Sequence, residues 1–343
     1  MVKFQYTNFQ SSKKCILDYY TELDSAKGDD IESVIASYTS VDYLWRGMHP
    51  FNIQNGATNV AKEFWKPFKE SFSSMQRRAD VFFTGLNEID DFASQWVCQM
   101  GHFMGLFDKP WLGIKPTGKM VFIRFAEFNK VVDGKIVETS LFIDIPAVMR
   151  QAGYNPFMHD TGAFVIQPGP KTHDGLLFDD ADPALGNTTL DTIDLMKRMV
   201  SEGRADKTRD GLGDAWNDDM VWFGPCGIGA TYTKDRYQLQ HRKPLVDNMN
   251  FDVPNHGSSI GHICRIAEGK FGGFFGWPNF YCIPEGNFMG LPATDRVAEF
   301  RVVDIYHVIA GKISENWIFM DLLHFMKTQG VDVLANMHAR TKI

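Results

Sequence analysis

Two stretches of this chain, 177 residues apart, carry one pattern, and a chain that repeats itself is constrained first of all to fold as two like units. The first stretch runs Gly134-Lys135-Ile136-Val137-Glu138, Phe142-Ile143-Asp144 and Gly153; the second runs Gly311-Lys312-Ile313-Ser314-Glu315, Phe319-Met320-Asp321 and Gly330. Upstream, Pro116-Thr117-Gly118-Lys119 answers Pro292-Ala293-Thr294-Asp295, Gly101 to Gly105 echoes Gly272 to Gly276, and Gly56-Ala57-Thr58 echoes Gly229-Ala230-Thr231, always in the same order. A length of 343 residues accommodates two cores of about 150 residues each. The expected division is a first domain over 1–153, a linker over 154–187 and a second domain over 188–343. The linker is rich in Pro, Gly and Asp and is too long for a simple turn.

Each copy follows one plan. Residues 15–23 place Ile16, Tyr19, Tyr20 and Leu23 at helical spacing, and 190–200 do the same with Ile193, Met196, Met199 and Val200. Short apolar strands are expected at 41–45 and 220–223, and second amphipathic helices at 60–72 and 234–245. Several strands then lead to the closing strand and a short helix that stops at Gly153 or Gly330, each a helix C-cap. Helices first and a long antiparallel meander after them predict an α+β fold.

Composition narrows the function. The net charge of −7, with no basic stripe, argues against nucleic acid. Residues 1–14 are polar, so no signal peptide is expected, and no run approaches the ~18 apolar residues of a membrane span. Five scattered cysteines read as reduced thiols of a cytoplasmic protein. Phe, Tyr and Trp make up 13% of the chain, enough to line a cavity for a flat apolar ligand as well as fill two cores.

Side chains alternate along a strand. One face of the second closing strand therefore holds Glu315, Trp317, Phe319 and Asp321, and the matching face of the first holds Glu138, Ser140, Phe142 and Asp144. An aspartate at the end of such a row is poorly solvated. Its pKa should rise, and it could move protons on a substrate. The same aspartate, placed between a strand and a helix, is also a good N-cap. The two roles are compatible.

These residues resemble the SnoaL-like proteins of the NTF2-like superfamily, whose closing signature is a Gly-Lys turn, Ile-x-Glu, a Trp or apolar position, Asp, and a Leu-rich helix ending in Gly. The second copy is the closer match, through Trp216 to Pro225, Gly227-Ile228-Gly229, His241 to Leu245, Gly261 to Arg265, Gly276-Trp277-Pro278, Leu291 to Thr294 and Glu315-Asn316-Trp317. The resemblance implies two cone domains, each a curved, mostly antiparallel sheet wrapped around helices. It also implies a cofactor-independent general acid/base on the closing strand, which maps onto Asp321 and, in the first copy, Asp144. Some members of this family are lyases or hydroxylases, including formaldehyde-releasing lyases of lignin-derived diaryl alcohols. Ser140 replaces the Trp in the first copy, so a duplicate activity is not implied.

Other candidates gather in the second copy. His241, on the second helix, and His262, on an expected strand, are possible acid/base partners of Asp321; His256 and His324 are further histidines there. Trp222, Trp277, Trp317, Phe319 and His256 are candidate substrate contacts. A second pocket in the first copy would draw on Asp144, His102 and Tyr20. Arg124 and Arg301 correspond by the repeat, as do Glu127 and Asp304, and read as ion pairs. No His-Glu-x-x-His, Cys-x-x-Cys, Gly-x-Ser-x-Gly or dinucleotide fingerprint is present, so no metal or organic cofactor is expected. The expected function is proton chemistry on an aromatic or polycyclic small molecule, of lyase, isomerase, cyclase or dehydratase type, carried out by the second copy of a homo-oligomer. The alternative is a non-catalytic ligand-binding or protein-interaction protein. A deep pocket favours the first, a filled cone the second.

Overall fold

A computed structural model describes residues 8–157, 160–205, 212–256 and 260–337. Among them, 8–154, 168–180 and 337 gather in one compact unit, and 155–157, 160–167 and 181–336 in another. Halves of the long connecting segment thus go with different units.

The N-terminal unit runs α1 (Gln10–Ser25), α2 (Asp30–Tyr38), β1 (Thr39–Gly47), β2 (Asn52–Asn55), α3 (Gly56–Val60), a π-helical turn (Ala61–Trp65), α4 (Lys66–Ser71), β3 (Phe72–Leu86), β4 (Gln95–Phe107), β5 (Met120–Val132), β6 (Lys135–Ile143) and α5 (Ile145–Gln151). Its sheet has the order β2-β1-β6-β5-β4-β3, antiparallel except where β1 meets β6. The C-terminal unit runs α6 (Pro183–Ala205), β7 (Trp216–Phe223), β8 (Thr231–Tyr232), α7 (Lys234–Tyr237), a second π-helical turn (Gln238–Arg242), α8 (Lys243–Asp247), β9 (Met249–Asn250), β10 (Cys264–Glu268), β11 (Phe271–Pro284), β12 (Ala298–Ile309), β13 (Lys312–Met320) and α9 (Leu322–Thr328). Its sheet has the order β10-β11-β12-β13-β7-β8, with β9 on β11, and again one parallel pair, β7 with β13. The α+β fold with two curled sheets follows the expectation. Helix α2 had no forecast of its own.

The repeat is visible in the ladders. Phe125 faces Ile143 and Val302 faces Met320, positions 177 apart on both strands. The π-helical turns also fall 177 apart, and each is followed by proline, Pro67 or Pro244. Proline has no N–H to give and its ring crowds the carbonyl four residues back, which widens the preceding turn. The glycine echo is corrected by the ladder: Gly101 faces Phe125 and Gly276 faces Val302, so these two glycines are level, four residues away from the register that the sequence suggested.

Parity along the closing hairpin decides what faces the inside of each sheet. Cross-strand partners share a face. Asp304 pairs with Ile318, Tyr306 with Asn316 and Val302 with Met320; Ile305 pairs with Trp317 and Val303 with Phe319. The first set turns toward the helices and the second away. Both faces are buried, so burial does not distinguish them.

Candidate functional site

The C-terminal unit encloses a cavity of about 90 Å³ between its sheet and its helices. The sheet side is built by Val302, Asp304 and Tyr306 of β12, Asn316, Ile318 and Met320 of β13, and Trp216 and Trp222 of β7. The helix side presents Met196, Val200 and Arg204 of α6, Tyr237 of α7, and His241 and Arg242 of the π-helical turn. The extra residue in that turn lets two adjacent side chains, His241 and Arg242, both reach the cavity, where both are buried.

Asp304 is the carboxylate on this wall. Its Oδ1 accepts a hydrogen bond from Asn316 Nδ2 at 3.0 Å, and the Tyr306 hydroxyl also bonds to it. Asn316 Nδ2 reaches the Ile305 carbonyl as well, at 3.0 Å, which fixes the amide orientation. Burial, then Asp304, holds the Tyr306 hydroxyl well above its ordinary value, so Tyr306 stays a donor.

His241 stacks on Trp222 at 4.0 Å between ring centroids, and His262 on Phe274 at 3.8 Å. Burial, reinforced by Arg204 and Arg242, lowers the pKa of His241 to about 3. Burial, with Lys197 and Arg265, takes His262 well below its usual value too. Burial thus favours the neutral form of both rings, which suits them to hydrogen bonding rather than to the proton shuttling expected near neutrality. His262 lies in the loop before β10, not on a strand.

The closing-strand aspartate lies elsewhere. Asp321 follows the outward row of Trp317 and Phe319, and its Oδ1 accepts from the His324 backbone N–H at 3.2 Å, capping α9. Its other oxygen is 3.5 Å from the Arg301 guanidinium. Asp144 repeats this arrangement: it accepts from the Ala147 N–H at 3.1 Å at the start of α5 and lies 4.0 Å from Arg124. Asp321, Trp317 and Phe319 are thus on the opposite face of β13 from the cavity, and Trp317 stacks on Phe223. Trp277 supports Arg301 at 4.2 Å. His256 is exposed on a turn, stacked on Tyr281. Of the residues singled out from sequence, the cavity brings together Trp222, His241 and His262. Asp304 reads from sequence only as half of an ion pair, and the sequence pattern gives Asn316, Tyr306, Arg204 and Arg242 no site role.

The three candidates for a first-copy pocket are also separated. Tyr20 accepts from Asn129 Nδ2 at 2.9 Å inside the cone. His102 follows the alternation of β4 to the other face and bonds Asp80 at 3.2 Å. The inside itself holds Arg77. Its guanidinium lies 3.9 Å over the Tyr20 ring and 4.9 Å over Phe103, and it pairs with Glu127 at 3.2 Å and Asp24 at 3.0 Å. Burial alone would lower the guanidinium pKa; Asp24 and Glu127 raise it above the ordinary value.

Among the described residues, no group of three or more His, Cys, Asp or Glu side chains is placed to hold a metal ion, and no helix is long and apolar enough to cross a membrane.

The family model described as SnoaL-like polyketide cyclase matches residues 42–152 and 278–329. No curated protein matches the chain. Solved structures with some likeness include a protein of Jannaschia sp. CCS1, provisionally described as a SnoaL-like polyketide cyclase (17% identity, 43% of this chain and 94% of that one, TM-score 0.35). Others are an NTF2-like protein of Burkholderia thailandensis E264 (20%, 41% and 95%, 0.31) and IdmH of Streptomyces antibioticus, provisionally described as a polyketide cyclase (16%, 40% and 97%, 0.33). At these scores the likenesses carry no argument about chemistry. A stretch of each half of the chain thus matches the SnoaL-like family, and each half folds around a curled sheet.

Proposed function

We propose that the C-terminal unit is a general acid/base enzyme of the isomerase, cyclase or lyase kind, with Asp304 as the proton-transferring group. The observation that carries this is the placement of Asp304: a buried carboxylate on the wall of an aromatic cavity, positioned by Asn316 and Tyr306. In the step envisaged, the carboxylate takes a proton from a carbon next to a carbonyl. The C–H electron pair moves to the carbonyl oxygen as an enolate, and the proton returns at the same or another carbon. Neutral His241 and His262 each offer one N–H to that oxygen. The cavity, at about 90 Å³, is smaller than the ~150 Å³ space known to take benzene. A ring substrate therefore enters as the lining side chains give way or through the open side of the cavity.

The test is deuterium uptake by phenylacetone at its CH2 in D2O, followed by NMR with no cofactor added. Wild-type protein should accelerate the exchange, with the rate falling on the acid side as the carboxylate is protonated, and Asp304→Asn should lose about 10²–10⁴ of the acceleration. Equal rates for the two proteins would remove Asp304 from the role.

A further inference from the structure

We infer that the substrate carries a carboxylate, held by Arg242 and Arg204, so that the ligand class is a single-ring aromatic or similarly small apolar carboxylic acid in its ionised form. This rests on the cavity being the substrate site.

The charge balance of the wall points there. Arg204 and Arg242 line the cavity together with Asp304, while burial keeps both histidines neutral. Arg242 is 6% exposed, and its Nε and Nη2 are buried without a hydrogen-bond partner among the described residues; the same holds for Nη1 of Arg204. Leaving such donors buried and unused is costly, more so for a charged group. The Arg204 guanidinium lies 4.1 Å over Phe280 and 4.6 Å over Phe251, contacts that fix its plane and leave its edge for an acceptor. A planar carboxylate matches the fork of a guanidinium with two parallel bonds. Trp222 and Phe274 also line the cavity and supply apolar surface for the ring.

The first copy shows what the arginine replaces. The position 177 residues before Arg242 is Trp65, packed edge-on against Phe103 at 5.9 Å and Phe68 at 6.1 Å. A cation thus stands where the N-terminal unit uses an aromatic ring.

Isothermal titration calorimetry of the full chain with benzoate and with benzamide, its neutral counterpart of like shape, tests the inference. Benzoate should bind at least 10-fold more tightly than benzamide. Arg242→Met should remove most of that preference, and Arg242→Lys should keep part of it. Benzamide binding as well as benzoate would overturn the carboxylate assignment while leaving the proton-transfer reading intact. Undiminished benzoate binding in both Arg242→Met and Arg204→Met would also overturn it. If neither probe binds while Asp304-dependent exchange of phenylacetone persists, the inference falls and the reaction stands; if exchange is absent as well, both fall. Should the Met variants fail to fold, the wild-type comparison of the two probes decides alone.

Discussion

The inside of the N-terminal cone holds an ion pair among aromatic rings and that of the C-terminal cone a cavity, although both sheets close with the same hairpin. In the first, Glu127 is taken up by Arg77, whose guanidinium sits among Tyr20, Phe103 and Phe125. In the second, Asp304 stands at the position of Glu127, one methylene shorter. Its cross-strand neighbour is Phe274, whereas that of Glu127 is Gln99, which Arg77 also reaches at 3.4 Å. Residues 177 apart show how the space arises: Tyr20 gives way to Lys197, Phe64 to His241 and Trp65 to Arg242. Aromatic filling has been exchanged for polar and cationic side chains. Duplication kept the frame, and a few inward positions decide between a core and a site.

The sharpest way to break this comparison is to remove the two carboxylates separately. Asp304→Asn should cost about 10²–10⁴ in proton-exchange rate. Glu127→Gln should leave that rate within a factor of two and instead cost stability, about 3–5 kcal/mol in a denaturant titration of the N-terminal transition, because Arg77 loses a buried ionic partner. If Glu127→Gln also abolished exchange, the two insides would not be functionally distinct.

Much of the frame was legible in the sequence, because glycine turns, alternation and the aspartate caps are local. The inside of the cone was not, for a physical reason. Both faces of β13 are buried, so the apolar row of Trp317 and Phe319 looked like a pocket wall while the wall lay on Asn316, Ile318 and Met320. The repeat aligns Asp304 with Glu127, and by sequence both read as halves of ion pairs, which is what Glu127 is. The available signal was a mismatch between copies: a tryptophan at 65 against an arginine at 242, and Asn129 with Thr139 against Tyr306 with Asn316. His262 stacks on Phe274 from a loop, and no periodicity points to such a contact.

A smaller effect sharpens the comparison through pH. His241 titrates at about 3 in the folded chain, against an ordinary ~6.5, because of its burial and then Arg204 and Arg242. The unfolded chain binds a proton that the folded one refuses. Stability therefore falls as pH drops from about 6.5 toward about 3, with about 2 kcal/mol lost by pH 5 from this group. His241→Phe, which installs the residue found at position 64, should remove that loss, so that the gap between variant and wild type in urea midpoints widens on going from pH 7 to pH 5 in the variant's favour. A constant gap would mean that His241 takes up its proton as readily in the folded chain as in the unfolded one.

The smallest effect concerns the two aspartates that the repeat made conspicuous. Asp144 and Asp321 each accept from a backbone N–H three residues on, and each has an arginine from the neighbouring strand beside it. An N-cap of this kind contributes about 0.5–2 kcal/mol. The nearby Arg301 is held below its ordinary pKa by burial and brought partly back by Asp321, so removing the carboxylate leaves a less favourable cation. Asp144→Ala and Asp321→Ala should therefore each lower stability by about 1–2 kcal/mol and to a similar degree. Replacement by Asn, which still caps, should cost less. Exchange activity at saturating probe should survive in both variants, since neither side chain faces the cavity. Loss of exchange in a folded Asp321→Asn protein, with Asp144→Asn unaffected, would return the catalytic role to the closing strand and set the parity argument aside.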